Sequence, residues 1–105
     1  MTMTNAQIVV TLNMINTLKQ DKRKLPVRVS YALNKNQNIL MNVYKPYEET
    51  LKELDTETDK QAVAELLNEE NEVALHNISL DDLDGADLTI NEMEIIQSFM
   101  MAEEG

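Results

Sequence analysis

The chain reads as a mainly α (α+β) domain built on a long antiparallel helical hairpin, with a short β element and a C-terminal helix. Three observations predict this. Between residues 25 and 54, Val29, Leu33, Asn36, Leu40, Val43, Tyr47, Thr50 and Leu54 follow alternating steps of four and three. That is one stripe of a long helix, apolar except at Asn36 and Thr50. Near Val73 and Leu75 the apolar period shortens to two, as in a strand. Thr89 and Glu92 then have the spacing of a capping box, which opens a final amphipathic helix.

A first helix is predicted over 4–20, with Thr4 or Asn5 as N-cap, Ile8, Leu12, Ile15 and Leu18 on one face, and Val9 and Val10 widening it. A polar connector leads to the long helix, 26–54, with Pro26 suited to its first turn. Such a helix is about 43 Å long. The connector is short, so the two helices pack antiparallel. Val27, Val29 and Tyr31 also alternate, but three positions are a weak strand signal. At Pro46 a kink, or a fresh helix start, is expected.

A third helix is predicted over 59–70, with Thr58 and Gln61 at capping-box spacing and Val63, Leu66 and Leu67 turned inward. A strand follows at 72–78, and Ala86 to Leu88 reads as a possible second one. Between them lies an acidic turn stopped by Gly85. The last helix is placed at 89–102, with Met93, Ile96, Phe99 and Met100 on its apolar face. A length of 105 residues suits a single domain, 1–105. Two short strands are marginal alone, so pairing across a homo-oligomer is the expected completion.

The chain has no cysteine, which excludes disulfides, thiolate metal sites and a cysteine nucleophile. No segment approaches the ~18 apolar residues of a membrane span, and the expected location is a reducing cytoplasm. The seven methionines are read as core filler, with a partner-binding use open at the two ends.

Net charge is −10, and it is divided unevenly. Residues 1–45 hold seven basic side chains against Asp21, a net of +6; residues 46–105 hold two against eighteen acids, a net of −16. The acidic residues Glu48, Glu49, Glu53, Asp55, Glu57, Glu65 and Glu69 form a candidate partner contact. Lys19, Lys22, Arg23, Lys24 and Arg28 form a candidate basic patch around the connector. Without interleaved aromatics or a recognition-helix motif, docking of this patch on the protein's own acidic half, or a neighbour's, is favoured over nucleic acid.

Individual chemical motifs weaken on inspection. Tyr31 and Lys35 have the Y-x-x-x-K spacing of short-chain dehydrogenases, but the chain has two glycines and no G-x-G-x-x-G loop. In the acidic turn, an EF-hand register with Gly85 at position 6 puts Leu80 at position 1 and Asn91 at position 12, where the loop needs carboxylates. His76 has no second histidine or cysteine for a zinc site and no matched serine for a triad. The expectation is therefore no enzyme, no cofactor and no metal.

The segment LPVRVSYALNKN (25–36), with the preceding helix and EVALHNISLDDLDGADLTINEMEII (72–96), resembles a family of small uncharacterised proteins of tailed phages and prophages of Gram-positive bacteria. The resemblance covers most of the chain and departs from the family at Pro46. It implies a viral, intracellular setting and carries no reaction or site residues. With it, the expected function is protein–protein interaction with a phage or host protein. Two alternatives stand beside it: inhibition of a host defence or nucleic-acid enzyme by nucleic-acid mimicry, and nucleic-acid binding through 19–28.

Overall fold

The computed structural model describes residues 1–21 and 23–101. Lys22 of the basic patch and the last position of the predicted 89–102 helix lie outside the described residues. The order of elements is β1 (Thr2–Thr4), α1 (Asn5–Gln20), α2 (Val27–Glu53), α3 (Lys60–Leu67), β2 (Glu70–Glu72), a 3₁₀ turn (Asp81–Leu83) and α4 (Ile90–Phe99). The fold is mainly α, with α1 and α2 as an antiparallel hairpin. At 1.5 Å per residue α2 is about 40 Å long, nearly the full 47 Å of the molecule's longest dimension.

The stripe on α2 forms the core. Val29, Leu33 and Leu40 are buried against Ile8, Leu12, Ile15 and Leu18 of α1, and Ile96 and Met100 complete the cluster. Met3 and Met14 join it, whereas Met1 and Met41 are exposed. Val10, expected on the inner face of α1, is also exposed.

Capping follows the sequence at two helix starts. Thr4 and Gln7, then Thr89 and Glu92, form reciprocal capping boxes. At α3 the expected Thr58–Gln61 box is absent. Asp59 stands at the N-cap without a side-chain bond, and Asp55 organises the preceding turn by accepting the Glu57 and Asp59 amides. The helix ends at Leu67, short of residue 70, because Asn5 takes the Leu66 carbonyl at 2.7 Å and the Glu69 carbonyl accepts from the Asn5 amide at 3.0 Å. These bonds turn the chain into β2. Helix α2 runs unbroken through Pro46, so no new helix starts there. Proline leaves the carbonyl four residues back, at Asn42, without its helical donor; both residues are exposed, so water can replace it.

The β element differs from expectation. The predicted strand 72–78 is replaced by the shorter β2, and its antiparallel partner is β1, in register Thr2↔Glu72, Met3↔Asn71 and Thr4↔Glu70. Met1 and Val73 extend the ladder by exchanging two bonds of 2.9 Å. The alternation seen in the sequence is real as burial: Val73 is buried and Leu75 half-buried between exposed Glu72, Ala74 and His76. Beyond Val73 the backbone finds other partners. Asn36, fully buried on α2, donates Nδ2–H to the His76 carbonyl at 3.0 Å and accepts the His76 amide on Oδ1 at 2.6 Å. A side-chain amide thus does for His76 what a neighbouring strand would. Residues 86–88, expected as a second strand, are irregular.

Candidate interaction surfaces

The basic patch is partly consumed inside the fold. Arg23 donates to Asp21 at 2.8 Å and to Glu92, whose side chain is nearly buried. Glu92 Oε1 also accepts the Thr89 amide at 2.8 Å, so one carboxylate both caps α4 and anchors the α1–α2 connector. Burial pushes the Glu92 carboxyl up, but bonds from the Thr89 amide, Arg23 and the Thr89 hydroxyl outweigh it and hold the carboxyl below its ordinary value. Arg23 is raised in turn, first by Asp21 and then by Glu92. Arg28 lies 3.7 Å from Asp82 with its side chain largely exposed, and Lys19 donates to Gln37 at 2.7 Å. Lys24 is exposed.

The acidic candidates gather at the other end of the long helix. Glu48, Glu49 and Glu53 lie on the C-terminal part of α2, Asp55 and Glu57 in the connector, Glu65 on α3, and Glu69 just before β2. All are exposed except Glu48, which is half-buried and 3.2 Å from Lys52. Beneath them Tyr44 and Tyr47 pack with ring centroids 5.6 Å apart. Burial, and then the nearby Glu48 charge, push the Tyr44 phenol above its ordinary value.

The charges on α2 run against its own dipole. A helix N-terminus favours carboxylates and a C-terminus favours cations. The first turn of α2 has no acid and carries Arg28, whereas its last two turns carry Glu48, Glu49 and Glu53 against Lys52. Helix stability does not account for this arrangement.

The remaining candidate chemistry is dispersed or reassigned. Lys35 Nζ sits 5.3 Å from the Tyr31 ring centroid, a cation–π contact rather than a dehydrogenase-like pair. His76 meets the same ring edge-on at 5.8 Å. Among the described residues no group of three or more metal-ligating His, Asp or Glu side chains converges. An open groove of about 530 Å³ is lined by Met1, Val73, Leu75, Asn77, Phe99 and Met101.

Sequence reasoning placed Glu92 as a cap but missed its bond to Arg23. It also missed β1, and so the exposed edge that Glu70 and Glu72 present. The signal for β1 lies in the alternation of Met1, Thr2, Met3 and Thr4, which is short and merges with the cap of α1. Among the described residues, no helix is long and apolar enough to cross a membrane. No protein-family model, curated protein or solved structure matches the chain.

Proposed function

We propose that this is a small phage or prophage protein that acts in the host cytoplasm by binding a protein partner, with no catalysis, and that its acidic end is the contact face. The observation that carries this reading is the reversed charge order on α2. Exposed carboxylates crowd a helix C-terminus, where they oppose the dipole and where few cations answer them. A basic surface on a partner would relieve that repulsion. The resemblance of 25–36 and 72–96 to phage proteins supplies the setting. Assembly of the protein as a homo-oligomer is compatible with this reading, through apolar surface away from the acidic end.

A second reading is inhibition of a nucleic-acid enzyme by mimicry. Glu49 and Glu53 lie one helical turn apart on an exposed face of a rigid helix, and such a row can occupy a phosphate-binding surface.

The test is affinity capture of a tagged chain from infected host lysate, washed at low and high salt, beside the Glu49→Lys, Glu53→Lys double variant. A partner released by salt and lost by the variant supports the acidic contact face, because screening weakens exposed charge contacts. If that partner is a nuclease or other nucleic-acid enzyme, the mimicry reading gains. A partner retained at high salt by both proteins overturns the acidic face and favours an apolar contact.

A further inference from the structure

We infer that the outer edge of β2 is a docking site for an extended basic segment of a partner protein, which adds to the β1–β2 ribbon as a third strand. The inference rests on the acidic-face reading and specifies how the partner is held.

The ladder decides which backbone groups are free. In an antiparallel pair, positions that exchange hydrogen bonds alternate with positions that do not. Met1 and Val73 exchange both bonds, and the Asn5 amide reaches the Glu69 carbonyl at 3.0 Å. Asn71, midway between Glu69 and Val73, therefore also bonds toward β1, and Glu70 and Glu72 turn their N–H and C=O groups away from it. Among the described residues none of those four outward groups has a hydrogen-bond partner. Among the described residues β1 is the one strand paired with β2, so the opposite edge of β2 carries no strand. An open row of donors and acceptors is a template for strand addition.

Charge selects the occupant. Glu70 and Glu72 are exposed, and among the described residues Glu72 meets only the Thr2 hydroxyl at 2.7 Å and the Met1 ammonium at 3.8 Å. An added strand places its own side chains directly beside these carboxylates, where opposite charges stabilise and like charges destabilise. A second copy pairing through β2 would set Glu70 against Glu72, which disfavours it. A strand with Lys or Arg at alternate positions fits. Its intervening residues would lie on the face shared by half-buried Asn71 and buried Val73, which suits small or apolar side chains.

The test uses the whole protein and a blocked peptide, Thr-Lys-Val-Lys-Val-Lys-Thr, beside the same peptide methylated on its lysine backbone amides. Charge is the same in both; only the first can complete the ladder. Binding is followed at low ionic strength by backbone-amide NMR and hydrogen exchange. The expected result is slowed exchange at the Glu70 and Glu72 amides with the first peptide, and binding about tenfold weaker or less with the methylated one. The Glu70→Lys, Glu72→Lys variant, which changes only exposed side chains, should lose the basic peptide and take up its glutamate counterpart. Equal binding of both basic peptides, with shifts centred on 48–57, overturns the edge site while the acidic face stands. Failure of both peptides to bind overturns edge and face together. Protection of the Glu70 and Glu72 amides that rises with protein concentration alone would assign the edge to a second copy and sink the proposal.

Discussion

Asn36 and His76, forty positions apart, are joined by a reciprocal pair of hydrogen bonds between a side-chain amide and a backbone. The carboxamide is fully buried in the stripe of α2, and it closes both polar groups of a segment that has left the β ladder. Replacing Asn36 with Ala leaves those groups without partners and should cost about 2 kcal/mol. Urea unfolding checks this, and an unchanged midpoint would show that water substitutes freely. Asn36→Asp keeps the acceptor but buries a charge against the His76 carbonyl, so that variant should gain stability, relative to wild type, as pH falls.

Acid should release the connector from α4. The folded Glu92 carboxyl lies below its ordinary value, so its contribution is present above about pH 4.5 and is lost as pH falls through the folded value. Thermal melts from pH 7 to pH 3 should show this loss in the wild type. In Glu92→Gln the same decline should be shallower from a lower starting stability. Parallel curves for the two proteins would place the acid sensitivity elsewhere.

The reversed charges on α2 predict opposite effects on stability and binding. Glu49→Lys with Glu53→Lys puts cations where the dipole favours them and should raise stability by about 0.5 kcal/mol or more. The same change should weaken capture of the partner. A variant that is destabilised, or that binds unchanged, contradicts the functional account of these carboxylates.

Pro46 is exposed and interrupts the bonding of α2 without serving the core. Pro46→Ala restores the amide for the Asn42 carbonyl and should stabilise the protein by roughly 1–3 kcal/mol. A lower melting temperature would mean that α2 is shaped around the proline ring.

The hairpin and its core were legible because the stripe from Val29 to Leu54 repeats often enough to specify one helix face. Thr4 and Thr89 were legible because a capping box is local. β1 was not: Met1, Thr2, Met3 and Thr4 alternate apolar and polar, but the run is short and merges with the cap of α1, and its partners lie about seventy residues away. In the sequence Asn36 is a polar gap in the stripe, and nothing local shows that a carboxamide will meet the backbone of His76. For the surfaces, charge segregation could be counted directly from the residues. The diversion of Arg23 to Glu92 joins positions 69 apart and needed the fold. The open edge at Glu70 and Glu72 depends on β1 and was hidden with it.

The pairing of β1 with β2 has a consequence for the order in which the molecule forms. Helices α1 and α2 can meet as soon as Glu53 has emerged from the ribosome, since their contacts cross only a short connector. Thr2 to Thr4 must wait for Glu70 to Glu72, and Met1 for Val73. Contacts of such separation slow folding, because a large loop must close before they form. Nascent chains are thus expected to carry a docked helical pair with an unpaired leading strand, a species open to capture by chaperones or by sister chains on the same messenger.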